Sequence, residues 1–391
     1  MQNSQSSDSG IKSIPTPAYV IYEDKLRANL EKLQATAQTC GVKIIMALKA
    51  NAVWKTFPVI GEYFPSSTAS SVNEMRLSLD YLGNDVHAYC PVYTDETFPE
   101  FLNGCSHITF NSLAQFEKFH PRALQLEEET GRHVSLGLRV NPKCSVIEHD
   151  IYNPAVAGSR FGVSADKMPE RLPDGLDGLH FHMLCESGAA DLQKVLEKFE
   201  KDFGKYLAQV KWVNFGGGHL ITRKDYDTAL LESVIKDFKS RHPHLEIIME
   251  PGSAFTWQTG DLIVEVLDIV EDEGIKTAII DASFACHMPD CLEMPYKPAI
   301  AEALPDESEE GYEYRLGGNS CLTGDYVGTW KFGRPLRAGD RLTLKDMNHY
   351  TTVKTNMFNG VAHPSMWLIK PNGENQLLRQ FGYEDYRDRM D

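Results

Sequence analysis

No stretch of this 391-residue chain approaches the ~20 consecutive apolar residues that a membrane-crossing helix needs. The polar start, MQNSQSSDSG, has no basic segment leading into an apolar one, so no secretory leader is expected. Residues 1–15 read as a disordered lead-in. The eight cysteines (40, 90, 105, 144, 185, 286, 291, 321) form no CxxC pair and no compact spacing. That argues against a zinc site or a disulfide framework and for reduced thiols in the cytoplasm. Cations are few: 39 Lys and Arg stand against 55 Asp and Glu, a net charge of −16. Nucleic-acid binding, which needs clustered bases, is therefore not expected. Such a field would draw in a cationic ligand, although acidic totals are ordinary in soluble proteins.

What is present is 42% apolar residues, enough for two domains or for a barrel with an appendage. Eight short β-rich runs recur: IIMALK (44–49), STASS (67–71), VHAYCP (86–91), HITFN (107–111), VSLGLRVN (134–141), GLHFHM (178–183), WVNFGGG (212–218) and EIIMEPG (246–252). Several are continuous rather than alternating, as in parallel strands covered on both faces. Between them VNEMRLSLDYLG (72–83) and DLQKVLEKFEKDFGKYLAQV (191–210) have helical spacing. Eight βα units predict a (β/α)8 barrel over residues 31–261. After Gly252 the texture changes. DLIVEVLDIVEDEG, KTAIIDASF, YEYRLGG and DRLTLKDM read as strands split by turn residues, so residues 262–391 are expected to form an all-β domain. The run TPAYVIYED (16–24) is also strand-like, and residues 16–30 are expected to join that domain.

Barrel active sites gather at the C-terminal ends of the strands. Those ends carry Lys49, Asn111, Arg139, His182, the triplet Gly216–Gly217–Gly218 with His219, and Glu250. Each has an ordinary explanation alone: strands end on lysine, triplets mark turns, histidines pack in cores. Together they match the needs of pyridoxal phosphate, which takes a lysine amine, an anion cradle and a partner for its ring nitrogen. Lys49 supplies the amine once burial lowers its pKa, and the glycine triplet supplies backbone N–H groups. Glu250 faces the ring nitrogen. His182 stacks on the ring, and His180 is expected on the opposite face of its strand.

The same motifs identify a family. ALKAN (47–51), HFHMLCE (180–186), NFGGGH (214–219) and EPG (250–252) occur in the order of the fold-type III, alanine-racemase-like pyridoxal-phosphate decarboxylases. GNSCLTGD (318–325) resembles the segment carrying their catalytic cysteine, and YTTVKTNMFNG (350–360) the one whose tyrosine touches the phosphate. The resemblance spans residues 16 to 360. It implies that Lys49 carries the cofactor, that Tyr350 meets the phosphate, and that Cys321 returns a proton to Cα. By the same resemblance Cys321 comes from a partner subunit, so a homodimer with shared active sites is implied.

Departures narrow the reading. The family's EPGR is EPGS here, leaving Ser253 where an arginine meets the phosphate. Cys321 is followed by Leu322, and the acid is delayed to Asp325. With LCE and GGGH, these variants resemble the carboxynorspermidine (carboxyspermidine) decarboxylases of polyamine biosynthesis. Their substrate is a polyamine bearing a carboxylate, and its ammonium groups need acids. The candidates are Asp290, Glu293, Asp325 and, at the barrel mouth, Glu250. Rival readings are a decarboxylase of diaminopimelate or ornithine, a racemase with a second base, and a non-catalytic pyridoxal-phosphate binder.

Overall fold

The computed structural model describes residues 11–391 apart from 148 and 294, so the lead-in up to residue 10 lies outside the described residues. Residues 11–15, expected as part of that lead-in, are instead anchored by their two isoleucines, Ile14 buried and Ile11 half-buried. Ile14 is buried in a cluster with Ala18, Val20, Tyr22, Ile263 and Ile369. Arg341 donates to the carbonyls of Ile14 at 2.8 Å and Lys12 at 3.1 Å. Two isoleucines in a polar stretch are what give this segment a place to dock. Among the described residues no helix is long and apolar enough to cross a membrane.

The chain divides into two compact units, one of residues 29–255 and one of residues 256–391 with the segment ending at Ala28. Strand β1 (Ala18–Tyr22) belongs to the second, and helix α1 (Glu23–Cys40) leads on into the first.

The first unit is the barrel. Its strands are β2 (Lys43–Ile44, continuing as Met46–Ala47), β3 (Ser66–Ala69), β4 (Asp85–Tyr89), β5 (His107–Phe110), β6 (Ser135–Asn141), β7 (Gly178–His180), β8 (Trp212–Asn214) and β9 (Glu246–Met249). Neighbours pair in parallel, and β2 joins both ends, bonding to β3 through Met46–Ala47 and to β9 through Lys43–Ile44. The (β/α)8 class read from the continuous apolar runs is the observed one, and even the polar STASS run supplies a strand. Helices α2 (Phe57–Gly61), α3 (Val72–Tyr81), α4 (Phe98–Gly104), α5 (Leu113–Thr130), α6 (Ala189–Phe203) and α7 (Thr228–Arg241) follow six of the strands. Ser71 starts α3 by accepting the Glu74 N–H at 3.1 Å, and Glu74 returns a carboxylate oxygen to the Ser70 N–H at 2.6 Å. That reciprocal cap fixes Glu74 beside the strand ends. The barrel floor is plugged by Trp212, packed with Ile45 and Ile248. A Cβ at Gly137 would lie 2.3 Å from its indole and one at Gly178 only 2.0 Å, so those two glycines make room for the plug.

In the second unit β10 (Gly260–Asp272), β11 (Ile275–Ile280), β12 (Tyr312–Gly317), β13 (Tyr326–Phe332), β14 (Arg341–Leu344), β15 (Ser365–Ile369) and β16 (Asn375–Arg379) form one sheet with β1. Its order is β13-β12-β11-β10-β1-β15-β16, with β14 also paired to β10. β1 runs antiparallel to β10 and parallel to β15. The long β10 carries the core: Leu262, Val264 and Val266 are fully buried with Ala278, Ile280, Leu316, Leu342 and Leu344.

Candidate active site

The mouth of the barrel is built from strand ends. Lys49 stands two residues past β2, its side chain exposed in the open mouth and without a hydrogen bond or ion pair among the described residues. The protein massed around the ammonium still lowers its pKa. Glu250 opposes that shift and the positive Arg139 adds to it.

Glu250 follows β9 and is buried. Its Oε1 accepts the Asn214 amide at 2.7 Å, and Asn214 Oδ1 accepts the Gly216 N–H at 2.8 Å. One asparagine at the end of β8 thus ties the carboxylate to the glycine loop. Asn214 was not singled out from the sequence. The available signal was a polar residue closing an apolar strand where both faces are covered.

The loop after β8 needs its glycines. Gly216 and Gly218 have φ of 69° and 88°, and a Cβ at Gly217 would lie 2.5 Å from the Glu250 carbonyl oxygen. Gly217 donates its N–H to His182 Nδ1 at 2.9 Å, which leaves the neutral ring's proton on Nε2. Burial holds His182 well below the usual histidine pKa, with Lys49 and Arg139 adding repulsion. The Gly218 N–H has no acceptor among the described residues, and the hydroxyl of the buried residue Ser253 has no partner there either.

His180 corrects an expectation. It was placed on the face opposite His182, but residues two apart on a strand share a face. Accordingly His180 Nε2 lies 3.7 Å from Glu250 Oε2, and neither of its ring nitrogens has a hydrogen-bond partner. Glu74 and Cys185 also reach the Lys49 amine electrostatically; Glu74 is not singled out by the sequence, and Cys185 enters there only as part of the LCE motif. Burial pushes Cys185 up to about 11. Asn111 acts as a brace: its Oδ1 accepts the Tyr89 hydroxyl and the Gly162 N–H, each at 2.8 Å.

Pyridoxal phosphate is the cofactor these residues fit. An unpaired amine, a glycine loop with an open N–H, an imidazole and a buried carboxylate meet at one barrel mouth, and the close approach at Gly217 leaves no room for a side chain. Comparison with known proteins agrees. The family model described as pyridoxal-dependent decarboxylase, C-terminal sheet domain, matches residues 19–348. The chain belongs to the pyridoxal-dependent decarboxylases.

Among its relatives in that family, a carboxyaminopropylagmatine decarboxylase of Synechocystis is 44% identical over 97% of this chain and 96% of the relative. A carboxynorspermidine/carboxyspermidine decarboxylase of Campylobacter jejuni is 39% identical over 96% of this chain and 98% of its own. The crystal structure of carboxynorspermidine decarboxylase from C. jejuni, complexed with norspermidine, superposes with a TM-score of 0.86 at 38% identity, covering 96% of this chain and 100% of that one.

The other predicted residues of this decarboxylase lie in the sheet unit. Cys321 is exposed, and its N–H is held by Asn359 Oδ1 at 2.8 Å. Tyr350 adopts φ 51° at the start of a short 3-10 turn. Asp290 accepts the Tyr296 hydroxyl on Oδ2 at 3.0 Å, while its buried Oδ1 has no hydrogen bond. Glu293 is ion-paired with Lys354. Asp325, expected to meet a substrate ammonium, offers no free carboxylate. It is buried and accepts the Ala285 N–H at 2.9 Å, the Ser320 N–H at 3.2 Å and the Ser320 hydroxyl at 2.6 Å. Its delay past Cys321 places it to cap its own loop.

Proposed function

We propose that this chain removes CO2 from carboxynorspermidine and carboxyspermidine, in the cytoplasm and as a homodimer. The observation carrying the reading is the junction of an unpaired Lys49 with an Asn214-held Glu250 at one barrel mouth. Pyridoxal phosphate, when bound, supplies the sink for the electron pair that departing CO2 leaves behind.

Lys49 acts as the nucleophilic amine, helped by an environment that disfavours its ammonium. The Gly216–Gly218 loop, Ser253 and Tyr350 hold the phosphate, and His182 packs on the ring face. Glu250 holds the proton of the ring nitrogen, its orientation fixed by Asn214. Cys321, contributed by a second subunit, delivers a proton to Cα after CO2 has left. The net charge of −16 favours a polycationic substrate. Asp290, with Oδ1 unclaimed, accepts the distal ammonium, and Glu293 contributes by exchanging its Lys354 partner.

A second reading, carboxyaminopropylagmatine as substrate, is favoured by the 44% identity to the relative of that name. A guanidinium prefers a two-oxygen fork. Asp290 has one oxygen occupied by Tyr296, which suits a single-point ammonium better. The test is CO2 release from carboxynorspermidine, carboxyspermidine, carboxyaminopropylagmatine and diaminopimelate. We expect kcat/KM for the first two to exceed that for diaminopimelate by at least about 100-fold. Preference for carboxyaminopropylagmatine installs the second reading, and no turnover of any of the four ends both. Asp290→Ala should raise KM for the polyamine substrates, and an unchanged KM removes Asp290 from the site.

A further inference from the structure

Arg139, at the end of β6, is buried, and its guanidinium forms no ion pair among the described residues. It lies 4.6 Å from the ring centre of Tyr89 and 4.6 Å from that of Phe161. Its direct polar contacts are neutral, and the Glu250 carboxylate reaches it only through space, without an ion pair. Nη2 reaches the His182 carbonyl at a long 3.4 Å, the Tyr89 hydroxyl lies beside it, and the buried Nε has no acceptor. A buried cation without a counter-ion is costly, so the arrangement calls for an anion from outside the chain.

The clamp is built. Asn111 Oδ1 accepts the Tyr89 hydroxyl and the Gly162 N–H, and its Nδ2 donates to the Arg160 carbonyl at 2.8 Å, so both flanking rings are set by one side chain. Gly162 has φ 75°, and a Cβ there would lie 3.2 Å from Arg139 Cγ, which lets the loop close over the arginine.

We propose that Arg139 binds the 3-oxygen of the pyridoxal ring as its anionic partner. This rests on the cofactor reading above. The cofactor's covalent order decides between its two anions. Around the ring the aldehyde carbon lies between the phosphate arm and the 3-oxygen, with the nitrogen opposite. With Lys49 on β2 at the aldehyde, the glycine loop after β8 at the phosphate and Glu250 after β9 at the nitrogen, the 3-oxygen is left facing away from the glycine loop. Arg139 is on β6, two strands from β8, in register with His180 on β7. It also meets the substrate carboxylate poorly by function, since pairing would stabilise the group that must leave uncharged.

The test uses apoprotein and tryptophan-fluorescence titration with pyridoxal phosphate and with 3-deoxypyridoxal 5'-phosphate, which lacks only that oxygen. Wild type should bind the deoxy compound about 10–100-fold more weakly, the range of one charge-assisted hydrogen bond. Arg139→Met should lose a similar factor for pyridoxal phosphate and less than about threefold for the deoxy compound. Arg139→Lys, which keeps charge without the fork, should fall between. Equal wild-type affinity for the two compounds overturns the proposal even if the methionine variant does not fold. So does an equal loss by Arg139→Met for both compounds, which would put Arg139 at the phosphate or give it only a packing role. Failure of wild type to bind pyridoxal phosphate at all would instead overturn the cofactor reading.

Discussion

The two ends of the barrel are made from the same eight strands and treat charge in opposite ways. At the floor, Asp85 accepts Lys43 at 2.8 Å, Ser66 at 2.7 Å and Ser106 at 2.6 Å. Asp177 accepts His133 at 2.9 Å and Lys211 at 2.7 Å. His87 and His107 stack at 3.9 Å and only 11° apart, with Trp212 closing the stack. That floor cluster has metal-ligand chemistry, as does His180–His182–Glu250 at the mouth. Two parallel imidazoles cannot both aim a lone pair at one ion, however, and Lys43 already holds the cation position at Asp85 and His87. At the mouth, Lys49, Arg139 Nε and both His180 nitrogens lack hydrogen-bond partners among the described residues. Satisfied charge marks the end that holds the barrel together, and unsatisfied charge marks the end that works.

Replacing Lys49 with Met should break this contrast most sharply. Decarboxylation should fall by at least about 10⁴-fold, as when the nucleophile of a catalytic set is removed. Stability should move by no more than about 0.5 kcal/mol, because the exposed amine bonds to nothing. A borohydride-reducible absorbance band should also vanish. Loss of folding instead of activity would make Lys49 a structural residue. Glu250→Gln comes next. Glutamine keeps the Asn214 bond and loses the charge, so turnover should drop about 10²–10³-fold with the fold intact. Full activity in this variant would mean that the ring nitrogen has no need of that carboxylate.

Much of the working end was legible because its chemistry needs particular residue types at strand ends. Lys49, the glycine triplet and Glu250 could be placed once the eight runs were counted. Asn214, Arg139 as an anion partner and Glu74 were harder. Each acts through what it touches across strands, and a strand-end asparagine or a helix-capping glutamate has the same spelling anywhere. Asp325 shows the reverse failure: an acid near a catalytic motif reads as a ligand until its three donors are seen. His180 was misplaced by an error of period and not for want of signal. Strand β13, in YVGTWKF, escaped notice because Gly328 interrupts its apolar pattern.

The floor makes its own prediction, smaller and written in pH. Burial pushes His107 down to about 3, with His87 and Lys43 adding repulsion. The unfolded chain, with histidine near the usual ~6.5, binds that proton first, so stability is lost as pH falls from about 6.5 towards 3. The contribution is at most about 1.4 kcal/mol per pH unit for one proton. Against burial, Lys43, Ser106 and Ser66, which donate to it, and His87 close by hold Asp85 well below the carboxylate range, which adds loss in the same direction below about pH 4. His107→Phe keeps a ring in the stack and should flatten the slope of stability against pH by close to one proton. An unchanged slope in denaturant titrations would show that the imidazole does not stay neutral in the fold.

The smallest effect is expected at Ser253, where the contrast between the two ends can be tuned instead of broken. Ser253 is a buried residue whose hydroxyl makes no hydrogen bond among the described residues, so in the free protein Ser253→Ala should cost almost no stability, unlike removal of a floor serine that Asp85 uses. With pyridoxal phosphate bound, one neutral-to-anion hydrogen bond is lost, and affinity should weaken by roughly 10-fold, the lower end for a bond to a charged group. Pyridoxal without its phosphate should bind wild type and variant alike. An equal loss for both compounds would place Ser253 away from the phosphate and leave the Gly218 N–H as its chief donor.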